Sequence, residues 1–520
     1  MDDLGGLTTG PDRADASSVR LETRALDGPV DLAVLAQHTP ADLVWFDSAL
    51  PAGSPAAAAE RARWSVLAVT DGPFAARFHH RDRVARLDVA TPARRWFGPS
   101  WSGERPAFAV LDDLVRRTPP LVEPVAGCGF ALGWVGFLGY ELGREVDGPD
   151  RTADGHADAD LRFVDRAVLV RGDGHAWAVA LVDDDEPAAS TLNRAWLVRL
   201  RVPVTQDDVA DVRTGLPAVP ERQQRTGPVL EARGRVTRAA YERAVEACRD
   251  EIREGNAFQV CLTTAFAVPD APADADADGD PHLAEYLRLR GSDPVPFGAY
   301  LRTGDLRIAS RSPERFLRID ADGRVSAEPI KGTRPRRSDP EADLATRAEL
   351  ASSEKDRAEN VMIVDLLRND LQRTARPGSV RVERLCDVET YASVHQMVST
   401  VTGVLAAGTS RVEAVRAAFP PGSMTGAPKP SGTAIADRLE GAPRGVYSGA
   451  IGYFSASGTV DLSVAIRTLV TVLHPDGSVR RRSLGAGGAV TWSSTAADEA
   501  DEVETKTVSV LGGVGAAARW

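Results

Sequence analysis

Apolar residues recur along this 520-residue chain in two rhythms. From about 28 to 200, short apolar runs (DLVWFDSAL, RWSVLAVTDG, RAVLVRGDGHAWAVALVDDD) alternate with Gly, Asp and Pro turns. That is the pattern of strands and hairpins with a few helices. A helical rhythm then predicts a helix over Thr237–Glu254, opened by a Thr cap, with Tyr241, Val245, Cys248 and Ile252 on one stripe and Gly255-Asn256 at its end. FQVCLTTAFAV follows as a strand, and FGAYLRT, LRIASRS and ERFLRID continue the series. A long helix is expected from about 352 to 374, more strands through GAIGYFSASGTVDLSVAIRTLVTVL, and a last helix from about 495 to 511. No internal repeat appears, and periodicity alone supports a mixed α+β fold.

Three stretches break the rhythm. Residues 1–20 are polar and poor in aromatics, and read as disordered. The Pro-, Gln-, Arg- and Gly-rich 205–232 reads as a linker and places a boundary between regions 21–204 and 233–515. The acidic segment 270–281 is too polar to pack and reads as a surface loop. Its D-x-D-x-D-G run lacks the glutamate of an EF-hand loop, so solvation is expected there rather than calcium.

Composition narrows the function. The formal net charge is −12 and Lys/Arg do not cluster, which speaks against nucleic acid as the main partner. No apolar stretch approaches the ~18 residues that span a bilayer, and the acidic start does not resemble a secretory signal; a cytoplasmic protein without membrane contact is expected. Cys128, Cys248, Cys261 and Cys386 lack ligand or disulfide spacing and read as small core residues. Of the 62 basic residues only four are lysine, namely Lys331, Lys355, Lys429 and Lys506. Where arginine serves as the general cation, a retained lysine suggests a compact amine that can lose its proton.

Carboxylates supply the next clue. Glu359 shares the predicted stripe of Met362, Ile363, Leu366 and Asp370, and a carboxylate on an apolar stripe needs a partner. Asp356 lies three residues earlier, and the last helix repeats the spacing with Glu499 and Glu502, followed by Lys506. Two helices presenting carboxylates to one cavity suit Mg²⁺, which takes one or two carboxylates plus substrate oxygens and water. Glu502 and Lys506 would also serve as an ordinary surface pair worth ~0.3–0.5 kcal/mol.

The order of longer motifs is more specific. SPERF (312–316), PIKGT (329–333), KDRAEN (355–360), IVDLLRND (363–370), HQMVS (395–399), PGSMTGAPK (421–429), GAIGYFS (449–455), IRT (466–468) and GAGG (485–488) follow one another. In this the chain resembles the chorismate-utilising enzymes, the family that includes component I of aminodeoxychorismate synthase and of anthranilate synthase. The resemblance is strong over roughly 235–510. In the N-terminal half it rests on VWFDSAL and FALGWVGFLGYELG alone.

The resemblance implies an α/β (α+β) fold of two large, mainly antiparallel sheets packed face to face with helices outside, and makes 233–515 the chorismate-binding catalytic domain. It implies Mg²⁺ held by Glu359 and Glu502, with Asp356 and Glu499 behind them, gripping the ring carboxylate of chorismate. Arg467, Tyr453, Lys506 and the backbone of a Gly487-Gly488 turn would meet the other carboxylate, with Gln259, Thr333, His395 and Thr425 as further substrate contacts. Ala489 stands where many relatives have a third glycine. Of the two possible registers for the last helix, Glu499/Glu502 keeps the family's spacing to Lys506, whereas Asp501/Glu504 is shifted by two residues.

Glu314 is implied as the general acid for the C4 hydroxyl, and Lys331 as an amine that attacks C2 before ammonia displaces it at C4. Anthranilate synthases resemble the chain but carry alanine at the position of Lys331, so lysine argues for amination at C4. Isochorismate and salicylate synthases carry a basic lysine at the position of Gln259, so water addition is disfavoured. Ammonia is expected from a separate glutamine amidotransferase, since no cysteine here sits in a glycine-flanked nucleophile turn. The alternatives are amination at C2 and a catalytically silent regulatory homologue. Ser48 in VWFDSAL is the candidate for a tryptophan pocket, although the segment also reads as a plain buried strand.

Overall fold

The computed structural model describes residues 18–48, 50, 54, 56–146, 157–200, 229–270, 280–292, 294–391 and 394–520. Its strands form two sheets, and both draw on the two ends of the chain. The first runs Val19–Leu26, Ala176–Asp183, Arg166–Arg171, Trp64–Val69, Leu43–Asp47, Phe297–Thr303, Leu306–Ser312, Thr468–Leu473, Val479–Thr491, Gln259–Ala267, Leu230–Gly234 and Ala516–Arg519. The second runs Ile330–Pro335, Val394–Val404, Arg324–Glu328, Arg315–Ile319, Val460–Val464, Ala450–Ser455, Gly133–Leu138, Ala159–Val164, Ala76–Arg81, Val84–Val89 and Trp101–Glu104. Neighbours are antiparallel apart from Leu230–Gly234 beside Ala516–Arg519. The expected two-sheet α/β architecture is therefore present.

The seams lie where strands distant in sequence meet. Trp45 pairs with Tyr300 in the first sheet, and Gly136 with Gly452 in the second. Regions 21–204 and 233–515 thus share both sheets instead of packing separately. Two edges of the sequence reading change as well. Val19–Leu26 begins inside the stretch expected to be disordered, and Leu230–Gly234 turns the end of the expected linker into a strand, because each finds a neighbour to pair with. Residues 1–17, 205–228 and 271–279, on which the remaining loop, linker and disorder expectations fall, lie outside the described residues.

One apolar core fills the space between the sheets, including Phe78, Trp134, Phe163, Leu317, Ile451 and Val470. A second lies between the first sheet and the helices on its outer face, including Tyr241, Val260, Leu262, Ile435, Val503 and Val510. Each such side chain, fully buried, contributes ~1.5–3 kcal/mol.

The predicted helices form close to their expected bounds because their caps work. Thr237 accepts from the Ala240 amide to open Arg238–Arg253, Ser353 from Asp356 to open Glu354–Gln372, and Thr495 from Asp498 to open Ala496–Gly513. Pro340–Ser352 is a helix the pattern did not predict; only Asp343 and Leu350 are buried along it, too few to mark a stripe. Among the described residues no helix is long and apolar enough to cross a membrane.

Two of the connections that carry the chain from one sheet to the other position the site. Pro313-Glu314 links Leu306–Ser312 to Arg315–Ile319, and Ala465–Arg467 links Val460–Val464 to Thr468–Leu473. They run side by side: the Val464 amide donates to the Glu314 carbonyl at 3.0 Å, and the Arg311 amide to the Arg467 carbonyl at 3.1 Å. Glu314 is therefore held between the sheets.

Candidate active site

The cleft opens beside these crossings. Its floor is the stretch 485–491 of strand Val479–Thr491, which pairs with Gln259–Ala267 on one side but has outrun Thr468–Leu473 on the other. The backbone there keeps a free edge, able to donate amide hydrogens to an anion. Gly487 and Gly488 lie inside this strand, opposite Thr263 and Leu262, so they form no turn. A Cβ on Gly488 would run into the Glu499 carboxylate, which explains the missing side chain. Ala489 pairs with Cys261 and fits without disturbance.

Three of the four lysines converge here. Lys506 donates to the Gly487 carbonyl at 2.8 Å and pairs with Glu502 at 2.6 Å. Lys355 stands 4.0 Å from Glu359 and 4.0 Å from Glu499. Lys331, on strand Ile330–Pro335, makes no hydrogen bond to any described residue, yet its charge acts on Glu314, Glu359 and Glu502. Gly332 beside it has φ +79°, and a Cβ there would stand 2.8 Å from Leu350 and 2.9 Å from Asp356, so the PIKGT turn tolerates only glycine. The fourth, Lys429, is structural: its ammonium donates to Asp370 and to the carbonyls of Ala418 and Pro420 at 2.7, 2.7 and 3.0 Å.

The carboxylates differ in state. Burial pushes Glu314 up to about 7, against the pull of Lys331, Ser423 and Lys506. Burial, reinforced by Glu502, likewise lifts Glu499 to about 7, and burial raises Glu359. Burial opposes charge on Glu502 too, but the Lys506 ammonium holds it below the usual range. The Ser494 hydroxyl donates to one Glu499 oxygen at 2.7 Å, while the other oxygen is buried without a partner. An orphaned oxygen on Glu499, beside a Glu502 carboxylate that raises both Glu499 and Glu359, suits a cation. No three His, Cys, Asp or Glu side chains among the described residues are gathered closely enough to hold a metal alone. A divalent ion held at Glu359 and Glu502 would need oxygens from substrate and water as well.

The raised groups make the fold sensitive to pH. Between about 4.5 and 7 the folded protein keeps protons on Glu314 and Glu499 that the unfolded chain has released. Their contribution to stability is complete below about 4.5 and is lost as pH rises through about 7. Glu499→Gln should flatten the decline of the metal-free protein's urea midpoint over that interval; an unchanged slope would mean that Glu499 ionises normally.

The structure sorts the other expected residues. Glu499 and Glu502 face the cleft, while Asp501 and Glu504 both pair with Arg238, which selects the first register. Asp356 is held by Arg334 at 2.9 Å, whose charge already balances it. His395 has both ring nitrogens engaged, by Asp343 at 3.0 Å and Thr390 at 2.9 Å, and serves to anchor helix Pro340–Ser352. Its neighbour Gln396 points the other way, toward the Thr333 hydroxyl. Thr425 is buried with its hydroxyl given to the Gly422 carbonyl; Ser423, two residues before it, lies beside Glu314. Arg467 sits on the second crossing with φ +50°. Gln259 lies two residues before Cys261 on the same strand face, and Cys261 feels both Lys331 and Lys506. The Gln259 amide is fully buried with neither polar atom partnered, as a group awaiting a ligand would be.

Tyr453 belongs elsewhere. Its ring packs on Phe46 and Phe130, lining a separate pocket with Ser48, Pro296, Arg318 and Asp461. The tyrosine near the cleft is Tyr447, whose ring lies over Gly485 at the start of the free strand edge. Sequence reading missed Tyr447 and Ser423, which nothing in the pattern distinguished; lysine scarcity singled out Lys355 but gave it no role in the site.

Comparison with known proteins identifies the family. The model of the chorismate binding enzyme family matches residues 83–512. Aminodeoxychorismate synthase of Streptomyces griseus is 45% identical over 90% of this chain and 60% of its own length. Aminodeoxychorismate synthase component 1 of Klebsiella aerogenes is 36% identical over 75% of this chain and 78% of its own. Anthranilate synthase component I from Streptococcus pneumoniae superposes with a TM-score of 0.66 at 25% identity, covering 86% of this chain and 92% of that one. The chain thus spans about 60% of the length of the Streptomyces griseus relative.

Proposed function

Because the chain belongs to the chorismate binding enzyme family, we propose that it aminates chorismate at C4, giving 4-amino-4-deoxychorismate, as an aminodeoxychorismate synthase component in p-aminobenzoate formation. The observation that carries this reading is that Lys331, an amine without a side-chain hydrogen bond to any described residue, acts by its charge on Glu314, a buried carboxyl poised near 7. That is a nucleophile and an acid in one cleft.

The Lys331 amine attacks C2 of the ring with its nitrogen lone pair. The two ring double bonds shift, and the C4–oxygen bond breaks. Glu314, protonated, gives its proton to the departing hydroxyl, which leaves as water. Ammonia then attacks C4, the double bonds return, and the C2–nitrogen bond to Lys331 breaks. Gln259 carries an amide where water addition would need a base, and so cannot generate hydroxide.

The two substrate carboxylates find separate partners. Arg467, Lys506 and the free backbone edge at Gly487-Gly488 suit the enolpyruvyl carboxylate. Glu359 and Glu502, with Glu499 behind them, would hold Mg²⁺ at the ring carboxylate. Bound there, the metal would act as a Lewis acid that draws electron density from the ring. Asp356, neutralised by Arg334, would serve only to position this face of the helix. Ser48 lines the second pocket, where an aromatic amino acid such as tryptophan would bind beside the packed rings of Phe46 and Tyr453.

Ammonia would come from a separate glutamine amidotransferase in the cytoplasm, in keeping with the "component 1" names of relatives such as that of Klebsiella aerogenes. The test is mass spectrometry of the product formed from chorismate, Mg²⁺ and an ammonium salt at raised pH. A product that retains the enolpyruvyl arm with amine in place of hydroxyl is expected. Anthranilate with released pyruvate, or an isomer of chorismate without nitrogen, would overturn the reading.

A further inference from the structure

The cleft contains one cation to which the proposed chemistry gives no work. Lys355 sits in the first turn of helix Glu354–Gln372, one turn before Glu359. Its ammonium is 4.0 Å from a Glu359 oxygen and 4.0 Å from a Glu499 oxygen, so it bridges the two helices that supply the acidic side chains. Its own side chain is 48% exposed, whereas those of Glu359 and Glu499 are 13% and 1% exposed. A half-exposed charge thus stands over two buried ones. Lys355 also opposes the rise in the proton affinity of both glutamates.

We propose that Lys355 is a built-in stand-in for the divalent cation. In the metal-free enzyme its ammonium neutralises Glu359 and Glu499, and it swings out to solvent when the metal enters. Lysine and metal therefore compete for the same oxygens. The inference rests on the cation reading given above.

Residue chemistry favours this role. In a chain that uses arginine almost everywhere, Lys355 is a compact point charge on a four-carbon stem. A guanidinium would hold a carboxylate with a planar two-pronged grip and release it less readily. The contacts at 4.0 Å are loose, and the inner Glu499 oxygen remains without a partner, so Lys355 only partly satisfies the site. A smaller, doubly charged ion with its own ligand demands can displace it.

The experiment uses the metal-free full chain, with Mn²⁺ as the probe and free Mn²⁺ counted by paramagnetic resonance. Lys355→Met should tighten Mn²⁺ binding roughly two- to fivefold, the scale of one partly exposed ion pair removed from the competition. Arg357→Met, which removes the same charge from the same helix turn without touching these carboxylates, should leave the affinity unchanged. Thermal unfolding supplies a second readout. Lys355→Met should lower the midpoint of the metal-free protein but not that of the Mg²⁺-saturated protein, because in the latter the lysine has already left.

Equal Mn²⁺ affinity in Lys355→Met and the parent would overturn the inference alone. So would a loss of stability that persists at saturating Mg²⁺, which would make Lys355 an ordinary structural ion pair. If neither protein binds Mn²⁺, the cation reading falls and the inference falls with it.

Discussion

Replacing Lys331 with alanine should slow chorismate consumption with saturating ammonium by at least ~10³-fold, the scale seen when a covalent nucleophile is removed. Lys331→Arg should be as inactive, although it preserves the charge that acts on Glu314. That pair of variants separates a nucleophile from an electrostatic helper. The residual product of Lys331→Ala should carry nitrogen at C2, since shortening the side chain leaves that carbon open to ammonia. Liquid chromatography with mass detection reads both outcomes. If Lys331→Arg keeps more than about a tenth of the parent rate, the adduct is excluded and Lys331 acts through its charge.

The largest stability effect is expected at Arg444. Its guanidinium is buried, pairs with Glu440 at 2.7 and 2.9 Å, donates to the carbonyls of Met424 and Cys261 at 2.7 and 2.8 Å, and lies 4.2 Å from the centre of the Tyr140 ring. Glu440 is equally enclosed, both side chains being 2% exposed. Arg444→Met leaves Glu440 charged and unpaired in the interior, which should cost about 3–5 kcal/mol. The double variant Arg444→Met/Glu440→Gln should recover much of that loss, because the stranded charge is gone. Thermal inactivation midpoints would rank the three proteins. A double variant no better than the single one would mean that the carbonyl contacts, rather than the ion pair, dominate. Activity should fall in parallel, since Arg444 ties the turn bearing Ser423 to the strand bearing Gln259.

Much of this architecture can be read from residue order. Helices Arg238–Arg253, Glu354–Gln372 and Ala496–Gly513 follow from a hydroxyl cap and an apolar stripe, both local signals. Lys331 stood out as a lysine among arginines, Glu359 as a carboxylate on an apolar stripe and Glu499 by its spacing to Glu502, whereas Glu314 was singled out only by the order of family motifs. What failed depends on contacts that no window contains. Gly487-Gly488 has the composition of a turn, but its glycines clear space for Glu499 and for the facing strand. Tyr453, inside strand Ala450–Ser455, and Tyr447, just before it, are both buried tyrosines, and only long-range packing sends each to its own pocket. His395 lost its expected role because Asp343, from a helix without a readable stripe, occupies its ring. The interleaving of the two regions was invisible for the same reason: which strand lies beside which is a long-range property.

The seams between those regions bear on how the polypeptide reaches its folded state. Leu43–Asp47 has Trp64–Val69 on one side but waits for Phe297–Thr303 on the other, and Gly133–Leu138 waits for Ala450–Ser455. On the ribosome, the early strands emerge long before these neighbours exist, with backbone edges and apolar faces uncovered. Folding of such high contact order is slow. A fragment ending before Phe297 should therefore associate with itself or with chaperones, and adding the remainder as a separate chain should rescue it only if both are refolded together.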